Sequence, residues 1–130
     1  MRDIKFRGIT PTKKWIVGSL IYHGEQPRIE FVRKRHPIDN RVLATDWAYV
    51  DPKTVGQFTS LLDKNGKEVY EGDIATDGEF LYTVEFSTYS CGFVWSRHGS
   101  SNNFHFERIK DSEEMEVIGN IHDNSELLTK

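Results

Sequence analysis

Three groups of residues in this chain carry side chains able to do chemistry. Glu68, Glu71 and Asp73 crowd around Gly72 in "EVYEGD", and converging carboxylates would suit acid–base catalysis or a cation. Alternate positions of an extended segment point to opposite faces, however, so these acids do not converge on a strand. Gly72 at a positive φ and Asp73 accepting backbone donors would instead turn a corner into a new strand. The acids therefore read as structural wiring. Cys91, with His98 and His105 downstream, suggests a Cys–His nucleophile pair but lacks a third, orienting group; beside Gly92 it reads as a small, buried structural residue. The five histidines, His23, His36, His98, His105 and His122, lie in separate segments without the paired spacing of a zinc site. His105, between Phe104 and Phe106, projects to the opposite strand face from them. The ten glycines are scattered at turns and form no phosphate loop. No catalytic, cofactor-binding or metal-ligating residue is assigned, and no cofactor is expected.

The third group is the strongest candidate. Arg33, Lys34, Arg35 and His36, followed by Arg41, form a basic segment, with Trp47 and Tyr49 in the next one. Such residues could meet an acidic protein surface, or neutralise phosphates while the aromatics stack on unpaired bases; they could also be a solvated loop. Residues 1–53 hold 11 Lys or Arg against 6 Asp or Glu, giving +5, whereas residues 54–130 hold 6 against 14, giving −8. Glu107, Asp111, Glu113, Glu114 and Glu116 make an acidic complement, within one chain or between copies. Copies meeting head to tail would join unlike surfaces, whereas like halves around a two-fold would repel unless other contacts intervened.

The elements that must position these residues are short. "DIKFRGIT" alternates as a half-buried strand, "PTKK" turns, and "WIVGSLIY" completes a hairpin in which Gly18 marks a bulge or a close backbone approach. "RIEFVRK" sets Ile29 and Phe31 against Arg28 and Glu30 as a third strand. "RKRHPIDNR" reads as an exposed or mobile loop because of Pro37, and "VLATDWAYV" leans to strand. Asp51 before Pro52 caps one helical turn. Strands are expected at 57–62, 67–70, 73–76, 80–87, 93–96, 103–109 and 116–121, with a polar tip at 99–103 and a short final helix capped by Asn124 or Ser125. Asp63, Lys64, Asn65 and Gly66 form a tight turn. A three-residue loop there sets Leu61 opposite Val69, and a two-residue loop shifts the pairing by one. The expected core is Trp15, Phe58, Leu61, Val69, Tyr70, Ile74, Val84, Phe86, Val94, Phe104, Phe106, Val117 and Ile121.

"VDPKTVGQFTSLLDKNGKEVYEGDI", Val50 to Ile74, with "EVIGNIHDNSELL", Glu116 to Leu128, and the opening "IKFRG", resembles the YopX family, small proteins encoded mainly by bacteriophages and prophages. Ser60 stands where that family usually has glycine, and His122 and Ser125 depart from its aromatic-acid-Asn-Pro ending. The resemblance implies a mainly-β protein with a barrel-like part and transfers no catalytic residue. The expectation is one domain over 1–130: a small N-terminal β-lobe (1–50) joined to a C-terminal, partly open, SH3-like β-barrel (51–130), with short helical turns only.

A chain of 130 residues with one cysteine can bury a core without disulfides or metal. No basic-then-apolar leader and no apolar run of about 20 residues is present, so neither export nor a membrane is expected, and the bacterial cytoplasm is the expected site. The function expected is that of a phage or prophage interaction protein without enzymatic activity. It would be a homo-oligomer or bind a protein partner, with nucleic-acid binding through 33–41 as the alternative.

Overall fold

The computed structural model describes residues 2–99, 106–108 and 114–129. Its strands are β1 (Phe6–Ile9), β2 (Trp15–His23), β3 (Gln26–Arg35), β4 (Val42–Tyr49), β5 (Gly56–Leu62), β6 (Glu68–Tyr70), β7 (Asp73–Thr76), β8 (Leu81–Ser87), β9 (Gly92–Arg97), β10 (Phe106–Arg108) and β11 (Glu116–Asn120), with 3-10 turns at Pro52–Thr54 and Ser125–Leu128. More than half of the described residues are in strands, all sheets are antiparallel, and no closed barrel forms among them. The mainly-β class with only short helical turns is therefore what the structure has. No helix among the described residues is long and apolar enough to cross a membrane. Two compact units divide the chain, residues 1–57 and residues 58–130.

In the first unit the strands run in the order β4-β3-β2-β1, and the first two residues of β5 pair with β1. Thr10 N–H donates to Lys14 O across the β1–β2 turn, and Lys13 takes a positive φ there. Gly18 is where β2 passes from one partner to the other: β1 pairs with Trp15–Gly18 and β3 with Ser19–His23. A Cβ at Gly18 would lie 2.0 Å from the Glu30 carbonyl oxygen, so the residue marks a close backbone approach. One face of this sheet buries Ile29 completely. The 3-10 turn behaves as its sequence requires. Asp51 accepts from Lys53 N–H, Pro52 opens the turn, and Thr54 Oγ1 accepts from Ile9 N–H at 2.9 Å while donating to Asp51 O.

The second unit holds the β5–β6 hairpin and a sheet ordered β10-β9-β8-β7-β11. Val69, Ala75, Tyr82, Val84, Trp95, Met115 and Val117 form its core. Of the residues expected inside, Phe58, Val69, Tyr70, Ile74, Val84, Val94 and Val117 are buried. Trp15 and Leu61 are half-buried. Phe86 and Ile121 are corrections, at 50% and 40% exposed. A period of two assigns a face but not whether anything packs on it: Phe86 lies near the β8–β9 turn, where its ring meets Phe93 edge-on at 5.5 Å. Phe104 and the side chain of Phe106 lie outside the described residues, as do most of the 99–103 tip and His105.

The tight turn takes the three-residue form. Asp63 N–H donates to Lys67 O, Gly66 has φ 81°, and Leu62 pairs with Glu68. The ladder then shifts before Phe58–Tyr70, where Ser60 sits at φ 74°. Asn124 precedes the final 3-10 turn without capping it. Its Oδ1 accepts from Asn120 N–H instead, and it packs so close that a Cβ at Gly119 would be 2.6 Å from that oxygen.

Candidate interaction surface

Of the acids around Gly72, Glu68 Oε1 accepts from the Tyr70 hydroxyl at 3.1 Å and Asp73 is committed to the backbone. Asp73, 2% exposed, accepts from Tyr70 N–H at 2.7 Å, and Gly72, at φ 92°, donates to Val84 O and accepts from Ile121 N–H. Asp63 goes further. Its Oδ1 accepts from Asn65 and Lys67 N–H and its Oδ2 from Val117 N–H at 2.9 Å, joining the hairpin turn to β11. Burial pushes its carboxyl up, but the Val117, Lys67 and Asn65 donors with the Lys67 charge together hold it below its ordinary value. Around the same turn Lys64 N–H donates to Met115 O, and Lys64 Nζ and Asn65 Nδ2 reach Glu116 Oε2 at 3.5 and 3.3 Å. Asp77 is also depressed, first by the Phe80 N–H, against burial, with Glu79 N–H and the Tyr82 hydroxyl assisting.

Cys91, expected to be buried, is instead exposed: it lies in the β8–β9 turn at φ 54°, its thiol 3.6 Å from Thr88 O. Among the described residues no three His, Cys, Asp or Glu side chains converge as a metal site needs.

The basic and aromatic residues fall on one hairpin, β3–β4. Here the loop expectation is corrected: Arg33, Lys34 and Arg35 belong to β3, which pairs with β4 out to Arg35–Val42 despite register shifts at Lys34. Pro37 confines the turn to His36–Arg41, closed by His36 N–H to Arg41 O at 2.9 Å, with Asn40 at φ 61°. Within the turn Asp39 approaches Arg41 Nε at 3.6 Å, and Arg35 Nη1 donates to Asn40 O. His36 Nδ1 accepts from Ile38 and Asp39 N–H. A nitrogen that accepts carries no proton, so the 3.2 Å approach of Asp39 Oδ1 is not then a charge pair. Ile38 at the tip is 89% exposed.

Toward the base of the hairpin Trp47 and Tyr49 meet edge-on at 5.1 Å, and the Arg28 guanidinium lies 4.6 Å over the Trp47 ring. Arg28 stands opposite Tyr49, Glu30 opposite Trp47 and Ile21 opposite Arg28. Cross-strand partners share a face, so Val17, Ile21, Val32, Trp47 and Tyr49, each exposed, line the side of the sheet opposite Ile29. Arg28 Nε is buried without a hydrogen-bond partner among the described residues. Arg7 extends the pattern, its guanidinium 4.7 Å from the Trp15 ring. Arg28, Arg7, Val17 and Ile21 were not among the residues singled out from the sequence. The alternation of "RIEFVRK" put Arg28 on the right face, but only the pairing register brings it over Trp47.

No curated protein matches this chain. Among solved structures, the crystal structure of protein EF1440 from Enterococcus faecalis is similar at 23% identity with a TM-score of 0.58, over 98% of this chain and 99% of that one, a likeness of fold. The model of the YopX protein family matches residues 5–129. The chain, matched over nearly its whole length, belongs to the YopX family.

Proposed function

We propose that this chain is a phage- or prophage-encoded interaction protein without a catalytic role, which acts in the bacterial cytoplasm by assembling with itself or with another protein through the β3–β4 hairpin. The observation that supports the reading is the exposed face on which Trp47, Tyr49, Val17, Ile21 and Val32 surround Arg28. Tryptophan, tyrosine and arginine are the residues enriched at the centres of protein interfaces. The basic residues Arg33, Lys34, Arg35 and Arg41 at the distal end supply a charged rim suited to an acidic surface. Of the acids around Gly72 weighed for catalysis, Asp73 serves a backbone donor and Glu68 accepts from the Tyr70 hydroxyl.

The alternative is a nucleic-acid accessory protein using 33–41. A base stacking on Trp47 would have to displace the Arg28 guanidinium from its ring. The test joins two measurements: light scattering of the purified chain alone and with phage-encoded or host proteins recovered on it, and filter binding of single- and double-stranded DNA and RNA over a salt series. Self-assembly of the chain, or a protein partner lost on reversing Arg33 and Arg35 to Glu, supports the proposal. A strict monomer that retains no protein overturns it, and salt-sensitive retention of nucleic acid puts the alternative in its place.

A further inference from the structure

We infer that the free edge of β4 is a self-pairing surface: two copies join β4 to β4, antiparallel about a two-fold axis at Trp47, into one continuous sheet. This rests on the self-assembly branch of the function proposed above and names its site.

Among the described residues β3 pairs with one side of β4 and no strand with the other. Val50 N–H donates to Pro27 O at 3.1 Å. Hydrogen bonding alternates along an antiparallel ladder, so from that pair Ala48 and Asp46 bond to β3, while the N–H and C=O groups of Tyr49, Trp47 and Thr45 point away from it. Eight residues of edge strand without proline or lysine lack the usual protection against pairing. What guards the edge is Asp46. Its Oδ1 accepts from Trp47 N–H at 2.9 Å, occupying the middle one of the three outward donors.

The register follows from those three positions. With Trp47 opposite Trp47 of the second copy, Thr45 faces Tyr49 on either side and every outward donor meets an acceptor. Asp46 then stands opposite Ala48. Sliding the axis to Asp46 would set two carboxylates against each other in a close pair, which is disfavoured. Antiparallel pairing also carries the two basic tips to opposite ends. At about 3.3 Å per residue, Arg41 lies on the order of 20 Å from the axis, so the tips are separated by several Debye lengths at physiological salt. The repulsion expected of like halves meeting at a two-fold is thereby relieved. Two exposed Trp47–Tyr49 pairs, one from each copy, become one apolar strip across the joined sheets.

Pairing requires Asp46 to release the Trp47 N–H, which sets the test. Sedimentation equilibrium of the full chain is compared with that of Asp46→Ala and of Thr45→Pro. In Thr45→Pro the proline removes an outward donor without touching the β3 ladder. The expected result is a dimer that tightens roughly tenfold in Asp46→Ala, two guards being removed per dimer at about a net hydrogen bond each, and weakens at least about tenfold in Thr45→Pro with unchanged circular dichroism. An oligomer of the same strength in all three proteins overturns the β4 edge while leaving self-assembly standing. Should Thr45→Pro fail to fold, Asp46→Ala decides alone, and an unchanged or weaker dimer refutes the pairing. Monomers throughout, Asp46→Ala included, refute it too, and leave binding to a different protein as the surviving form of the function.

Discussion

Removing the Asp63 carboxylate should loosen the second unit. In Asp63→Ala three backbone donors lose their acceptor. Val117 N–H is buried, and leaving it unsatisfied costs about 1–3 kcal/mol; Asn65 and Lys67 N–H are reached by water and cost roughly 0.5–1 kcal/mol each. The expected loss is therefore about 2–5 kcal/mol. Asp63→Asn keeps one acceptor oxygen but turns an amide N–H₂ toward the donors on the other side, for an expected loss of about 1–3 kcal/mol. The charge adds a pH signature. Because the folded carboxyl titrates below its ordinary value of 3.8, its contribution is fully present above that value and is lost as pH falls through the lower, folded one. The gap between parent and Asp63→Asn should then be widest at pH 7 and narrow below about pH 4. Urea unfolding followed by fluorescence, with Trp15 and Trp47 changed to Phe so that only the buried Trp95 of the second unit reports, measures both effects. A loss below about 0.5 kcal/mol in Asp63→Ala, less than a single average hydrogen bond, or a parent-to-Asn gap that does not change with pH, would refute the reasoning.

Other outcomes follow from the same geometry. Ser60→Gly relieves a left-handed residue at φ 74° and should be neutral to stabilising by up to about 1 kcal/mol, the unfolded-state entropy of glycine offsetting part of the relief; a loss beyond about 1 kcal/mol in thermal unfolding would mean that contacts of the serine side chain dominate. Gly18→Ala drives a methyl into the Glu30 carbonyl and should cost about 2–3 kcal/mol, whereas Gly92→Ala, whose Cβ meets only Ser90 O at 3.9 Å, should cost under about 1 kcal/mol. Asp77 should titrate below 3.8 by NMR and return toward it in Tyr82→Phe as one of its donors disappears; a parent value at or above 3.8 contradicts the assignment.

The parts of this fold legible in the sequence are those fixed by near neighbours. The Asp51-Pro52 turn, the presence of a tight turn at Asp63–Gly66 and the alternation in β1 to β3 each depend on a few adjacent residues, whereas the choice between a two- and a three-residue loop there stayed open. The long-range links were silent. Asp63 was readable as a turn acid, but its bond to Val117 spans 54 positions, and no local pattern announces that β11 arrives there. Burial of Trp95, Tyr82 and Met115 likewise depends on which strands stack. In the candidate surface, residue types pointed to the basic and aromatic segment, and Pro37 suggested a loop longer than the turn that forms. Pairing of Arg35 with Val42 keeps Arg33 to Arg35 extended, and cross-strand register puts Arg28 over Trp47. Both are properties of two segments together.

The turn that ties β5 and β6 to β11 also bears on chemical ageing. Asn65-Gly66 is the dipeptide in which the following backbone nitrogen most readily attacks an asparagine carboxamide, expelling ammonia to give a succinimide that water then opens to aspartate or isoaspartate. That step needs the Gly66 nitrogen free and the Asn65 carboxamide able to swing toward it. Here Gly66 N–H is engaged by Asp63 O at 3.0 Å and Asn65 Nδ2 by Glu116 Oε2. The shelf life of the polypeptide at this bond is thus governed by how seldom the clasp opens, and a chain weakened at Asp63 should accumulate isoaspartate at Asn65 faster than its parent while still folded most of the time.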